Sequence, residues 1–276
     1  INCYSDIEVI GDHNIVGGLV GTAGDSFIEN SYSLGNITGP NDVGGIAGLL
    51  INSNLRNCFS KSIVTSTNKY GWYDNLGIGG LVGRSSNSTI NSCYFSGELI
   101  SDEGLYGNQI SYSVGGIAGY LENSTTIINC YALFDINGYK DNIGGILGKD
   151  ISDRYINKEN NIVNCYAGCS NLKSQSDKIY RIVGYPDQDT AITNCYANKN
   201  MKLIKNGVTT QPGLQNPLPA TVALDGADGA NLPDNPDWKN KIFKDGYENG
   251  ESFDSVWEIG TSGLPILKNM PGNPVQ

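Results

Sequence analysis

The chain has 276 residues, 36 of them glycine, with 17% charged residues and a formal net charge of −10. That acidic balance excludes a nucleic-acid reader, which needs a basic footprint for the phosphates, and no segment has the build of a membrane-spanning helix or a signal peptide. With 39% hydrophobic residues the chain can bury a core, but this much Gly with so little charge points to an all-β repeat protein, not a compact enzyme.

The chain begins at Ile1-Asn2-Cys3, inside a repeat unit, and is expected to be a fragment or mature form that lacks upstream coils or an export signal. Gly-Gly-[Leu/Ile]-x-Gly then recurs at Gly17–Gly21, Gly44–Gly48, Gly79–Gly83, Gly115–Gly119 and Gly144–Gly148. Each copy is followed by an Asn-Cys-Tyr-like step, which also occurs before the first copy and once more after the last, its middle position falling on Cys3, Ser31, Cys58, Cys93, Cys130, Cys165 and Cys195. Successive spacings of 28, 27, 35, 37, 35 and 30 residues are those of stacked supersecondary units. From the first Gly to this slot there are 14 residues in three units and 15 in a fourth, and a worn copy at Arg181-Ile182-Val183-Gly184 again lies 14 before Cys195.

Each unit holds three short runs of strand character, bounded by Gly, Asn, Asp and Ser, and no helical spacing. The pattern predicts a right-handed parallel β-helix, or β-solenoid, over residues 1–197, about six coils with a partial first one, and a C-terminal capping region over 198–276 with a Pro/Gly-rich linker. Within the cap, Trp238, Phe253 and Trp257 are expected to cover the end of the stack, whose unpaired strand edges would otherwise recruit other chains.

Six of the seven Cys share one slot and none forms a CxxC pair, so they read as small buried residues, neither a zinc site nor a disulfide framework. Cys169 alone lies off the row. If Cys points inward, alternation sends Tyr4, Tyr32, Phe59, Tyr94, Tyr131, Tyr166 and Tyr196 outward as an aromatic stripe. The opposite register stays open, because an Asn corner with a stacked Asn ladder would break the alternation, and so does a stripe covered by a neighbouring segment.

Functional residues of solenoids sit on insertions that leave the register unchanged. The third and fourth coils carry long inserts at the same corner, the first with Tyr70, Trp72, Tyr73 and Asp74, the second with Asp102, Glu103, Tyr106, Gln109 and Tyr112. Aromatics beside carboxylates suit a carbohydrate or protein contact surface. The expected ligand-binding set is Tyr70, Trp72, Tyr73, Asp74, Glu103, Tyr106 and Tyr112, the alternative being loop drift with the rings anchoring the inserts to the stack. The acidic run Asp225, Asp228, Asp234 and Asp237 lacks a calcium-loop pattern, and no metal or cofactor is expected. His13 is the single His, so a His-based catalytic triad has one place to form. Glycoside cleavage needs only two carboxylates, and Asp74 with Asp102 or Glu103 would supply them.

The Gly-Leu-Val-Gly and Gly-Ile-Ala-Gly copies joined to Asn-Cys-Tyr steps resemble the bacterial GLUG-motif repeat family, over about residues 1–197. The ending Phe253-Asp254-Ser255-Val256-Trp257 with Gly263-Leu264-Pro265-Ile266-Leu267 is similar to the tail that often follows such repeats. This resemblance implies an extracellular or bacterial cell-surface protein of adhesin type, whose relatives also stand beside streptococcal immunoglobulin A metallopeptidases. No His-Glu-x-x-His is present here, and the family assigns no catalytic residue to the repeat. The expectation is therefore a monomeric, non-enzymatic binder of host glycan or surface protein, with a β-helical polysaccharide lyase or hydrolase, or a structural stalk, as the alternatives.

Overall fold

The computed structural model describes residues 1–67, 76–101, 112–134, 136–137, 142–151, 159–187, 190–217 and 219–270. It is a parallel β-helix. Five sheets run along the stack, and the strands of the coils pair in parallel with their counterparts one repeat away, as in Phe59 with Tyr32 and Tyr94, or Val43 with Val16 and Ile78. Five strands per coil replace the three expected, because two of the three predicted runs are each broken by a turn. The Gly-Gly run of the second coil, for example, divides into Asp42–Gly44 and Ala47–Ile51.

The glycines make that break possible. A Cβ on Gly44 would lie 2.0 Å from the carbonyl oxygen of Ala47, and one on Gly45 would lie 2.3 Å from Ser60 Oγ across the inside of the coil. Backbone therefore approaches backbone and side chain where no methyl group fits.

The other breaks are corners built from an αL residue followed by a small hydrogen-bonding one. At the Cys slot the αL residue is Asn30, Asn57, Ser92, Asn129, Asn164 or Asn194, with φ between 50° and 54°. Asn tolerates this region better than most side chains. The next residue then serves the backbone. Cys93 Sγ donates to the carbonyl of Asn91 at 3.1 Å and accepts from Cys58 N–H at 3.4 Å, and Ser31 Oγ makes the same two contacts, to Glu29 O at 2.7 Å and from Cys3 N–H at 3.1 Å. A second corner of the same kind lies five residues earlier, at Asp25-Ser26, Asn52-Ser53 and Asn87-Ser88.

Cys58, Cys93, Cys130, Cys165 and Cys195 form the expected buried, reduced row, all fully inside one core with the Ile, Leu and Val positions of the coils. Cys169 is buried in that core as well, and Cys3 is exposed. The aromatics point outward and stack rung on rung: Tyr32, Phe59, Tyr94 and Tyr131 have centroids 4.9 to 5.0 Å apart and nearly parallel planes.

The cap is distributed differently from the expectation. Residues 206–231 close the stack: Val208–Thr210 folds back on Lys202–Lys205, Ala230–Asn231 adds a rung beyond Tyr196–Ala197, and Ala227 O and Leu224 O accept the N–H groups of Ile182, Val183 and Cys195. Arg181 stands where the earlier coils have the second Gly of the pair. Its side chain is fully buried and donates to Asn198 O, Asn231 Oδ1 and Gly229 O at 3.2, 2.9 and 2.7 Å. With no further coil above it, a side chain fits there and pins the closing segment.

Residues 238–270, expected over the end, lie instead along the flank. Asn194 donates to Lys241 O, Asn164 to Asp245 Oδ1, Asn129 to Asp245 O, Asn91 to Gly246 O, and Arg56 pairs with Glu251 at 3.4 Å. The tail thus retraces the stack toward its first coils, packing Trp238, Ile242, Phe243, Phe253, Val256, Trp257 and Leu267 on the outward rings in a second core. The physical reason is the larger apolar demand of the flank, since a continuous row of bare rings would be a large exposed patch.

Candidate recognition face

Of the predicted ligand-binding set, Tyr70, Trp72, Tyr73, Asp74, Glu103 and Tyr106 lie outside the described residues, as do Asp102 and Gln109. Their anchor points are described. The strand before the first insert ends at Ser66 and the strand after it begins at Leu76; for the second these residues are Ser101 and Tyr112. Ser66 pairs with Ser101 and Leu76 with Tyr112, so the two inserts start and finish on neighbouring rungs. Tyr112 departs from the expectation: it opens the strand Tyr112–Gly115 and is 3% exposed within the inner core, so it does not face a ligand. Its place on an inward rung of the strand, not on the insert, accounts for this. The aromatic stripe is likewise withdrawn from ligands over Phe59, Tyr94 and Tyr131, which the tail covers to 2% exposure or less.

At the foot of the first insert lies a charged cluster that sequence reading missed. Asp42, on the second coil, is 5% exposed; it accepts from Gly77 N–H at 3.1 Å and pairs with Arg84 Nη2 at 3.0 Å, both on the third coil. Arg84 Nη1 lies 3.8 Å from Glu122 of the fourth coil. Burial pushes Asp42 up to about 6, against the pull of Arg84 and the Gly77 hydrogen bond and with a smaller push from Glu122. Arg84 shares its outward column with Tyr120, Lys149 and Tyr185. Burial raises Tyr120 well above the usual phenol range, so it stays a neutral hydrogen-bonding group. Lys149 sits 5.9 Å from its ring and 5.8 Å from that of Tyr185. The sequence signal was faint: Asp42, Arg84 and Glu122 occupy different strands, and only knowledge of the pairing joins them.

The acidic run does not converge. Asp228 is held by Arg181 N–H and Thr221, Asp234 by Lys199, and Asp237 caps the turn at Trp238. Among the described residues no group of three or more His, Cys, Asp or Glu could hold a metal ion, and no helix is long and apolar enough to cross a membrane. Open cavities flank the stack among the described residues. One of about 490 Å³ lies between Tyr4, Tyr32, Asn30 and Asn57 and the tail residues Glu251 and Met270; one of about 580 Å³ crosses Glu98, Ile100, Ile136 and Lys173 on another sheet.

Residues 74–100 and 110–137 match the family described as the GLUG motif, so the chain carries GLUG repeats in the two coils that bear the long inserts. It is similar to a crystal structure from Bacteroides ovatus described as that of a "putative immunoglobulin A1 protease", at 22% identity and a TM-score of 0.49, over 92% of this chain and 64% of that one. The chain therefore spans less than two thirds of that protein's length. Comparison with curated proteins gives no match.

Proposed function

We propose that the chain is the repeat module of a secreted or cell-surface bacterial protein, non-enzymatic, which uses the GLUG β-helix as a rigid rail to present a recognition face to a host glycan or protein. The observation that carries this reading is the anchoring of two Tyr- and Trp-containing inserts on paired rungs, Ser66 with Ser101 and Leu76 with Tyr112. The stack keeps its register on both sides of the inserts, so the rungs they join, Ser66 with Ser101 and Leu76 with Tyr112, stand about 4.8 Å apart. That spacing supports two adjacent loops acting as one surface. The tail covers the scaffold's rings at Phe59, Tyr94 and Tyr131, which favours the Tyr and Trp residues of the inserts over that stretch of the stripe as the recognition surface.

A glycan-array screen of the intact chain beside a version with residues 68–75 shortened tests the reading. Selective glycan retention by the intact chain that the shortened one loses supports it. Equal behaviour of the two, with the shortened form folded, favours a structural stalk, and cleavage of an arrayed polysaccharide would favour the β-helical lyase or hydrolase.

A further inference from the structure

We propose that Arg84 is a proton-gated switch between neighbouring coils: while Asp42 is ionised the guanidinium binds the second coil, and protonation of Asp42 passes it to Glu122 of the fourth. Three features of the site make the element two-state. The guanidinium stands between two carboxylates on opposite sides, at 3.0 Å from Asp42 and 3.8 Å from Glu122. The two differ in solvation, since the Asp42 side chain is 7% exposed and that of Glu122 is 34% exposed. Arg84 Nε is buried with no hydrogen-bond partner, so the group is incompletely satisfied in its present position.

A carboxylate deprived of water takes up a proton before one that keeps it. Once Asp42 is neutral, Glu122 is, among the described residues, the remaining negative partner within reach of the guanidinium, and moving toward it adds little desolvation because the Glu122 side chain is 34% exposed. The groups facing Asp42 among the described residues are few. Arg84, Tyr120 and Glu122 face it from the sheet of Val82–Ser86 and Ala118–Glu122, with Asp150 one coil beyond, near Tyr120. From its own sheet come Gly77 N–H and the apolar Ile15. Burial sets the proton affinity of Asp42 near neutrality, which places the exchange in mildly acidic solution.

The exchange has a mechanical consequence at Gly77, which follows the first insert by two residues and whose N–H is held by Asp42. A neutral carboxyl is a weaker acceptor than a carboxylate, so acid weakens the hold on Gly77 at the start of the strand Leu76–Gly79. The effect on ligand capture rests on the recognition-face reading above; the switch itself does not.

The test is an NMR titration of the intact chain from pH 7.5 to 4.5, following the Gly77 amide and the Arg84 Nε resonance, and it needs no ligand. Both signals should move together with a midpoint at about pH 6. Asp42→Asn should hold Gly77 at a fixed shift across the range. Glu122→Gln should keep the Gly77 transition but move its midpoint lower, because a neighbouring negative charge is gone, and should abolish the Arg84 response in acid. A Gly77 amide that stays flat in the wild type, an Arg84 signal that fails to follow it, or a Gly77 transition that persists in Asp42→Asn would overturn the switch. If Asp42→Asn does not fold, the wild type and Glu122→Gln decide alone.

Discussion

Tyr131 donates from its hydroxyl to the carbonyl oxygen of Pro265 at 2.7 Å, joining an outward ring of the fourth coil to the end of the tail across 134 residues of chain. Burial on both sides makes this contact a gauge of how firmly the tail is seated: Tyr131 is 2% exposed and its hydroxyl is held well above the usual phenol range by desolvation. Tyr131→Phe should therefore lower stability by about 1 kcal/mol through one lost hydrogen bond and a stranded carbonyl, read by urea denaturation. Removing residues 238–276 should do far more, exposing the stacked rings and causing aggregation with strong binding of a hydrophobic dye. A truncated chain that remains monomeric and equally heat-stable would show that the rings need no cover.

The closing of the stack is a separate matter from the tail, and Arg181 isolates it. Arg181→Gly restores the residue that the other coils have at this slot, yet it deletes three donor contacts to Asn198, Gly229 and Asn231. The expected loss is about 2 to 4 kcal/mol, with hydrogen exchange rising first in residues 206–231. An unchanged exchange pattern there would mean that the backbone bonds of Ala227 and Leu224 suffice to close the end.

How much of this was readable beforehand follows from which interactions are local. Gly44-Gly45 and Asn57-Cys58 recur at a constant interval because each coil repeats the same backbone problem, so the β-helix and the inward Cys row were legible. The second corner was legible too, since Asn52-Ser53 and Asn87-Ser88 stand five residues before Cys58 and Cys93, but the Cys step drew the eye from it. The course of the tail was not. Trp238 and Trp257 announce an apolar contact without saying which surface receives it, and only the packed rings decide. Asp42 and Arg84 lie 42 residues apart in the chain, and inserts of unequal length between repeats hide their meeting.

The Cys row yields a test of hydrogen bonding against mere size. Cys93→Ser keeps a small group able to donate to Asn91 O and accept from Cys58 N–H, as Ser31 does at the same corner two coils earlier, and should change stability by less than about 1 kcal/mol. Cys93→Ala leaves the Cys58 N–H unserved inside the core and should cost about 1 to 2 kcal/mol. Cys93→Leu overfills a fully buried site and should cost about 3 kcal/mol. In the native protein a thiol reagent should label Cys3 quickly and the buried row only after unfolding; fast labelling of Cys93 or Cys165, whose thiols burial pushes up, would contradict the packing.

Asp42 gives stability a pH dependence of known sign. Its folded-state pKa of about 6 lies above the model-compound value of 3.8, so the folded chain binds the proton more tightly. The stability this supplies is fully present below about pH 4 and is lost as pH rises through 6. The whole swing is on the order of 3 kcal/mol at 1.36 kcal/mol per pKa unit. Asp42→Asn removes the titration, and the difference in unfolding free energy between wild type and variant should therefore change by up to that amount between pH 4 and pH 8, with the wild type relatively stronger in acid. A difference that is constant with pH would show that Arg84 and Gly77 fully offset the burial of the charge.

Trp72 is the sharpest probe of the recognition face, because the other two Trp, Trp238 and Trp257, are buried in the tail. If the insert between Ser66 and Leu76 engages a ligand, Trp72→Ala should weaken binding by about 2 kcal/mol, the usual cost of truncating a central aromatic anchor. The melting temperature should barely move, since the parallel rungs on either side, Ile63–Ser66 and Leu76–Gly79, keep their own pairing with the coils above and below. Tyr112→Ala is the matched control: its ring is part of the inner core, so it should lose about 3 to 5 kcal/mol of stability as other large aromatic truncations do. Calorimetry of both variants against a glycan retained on the array separates the two roles. Should Trp72→Ala lower the melting temperature as Tyr112→Ala does while affinity stays intact, the inserts are fastened to the stack by their rings and the chain is a stalk.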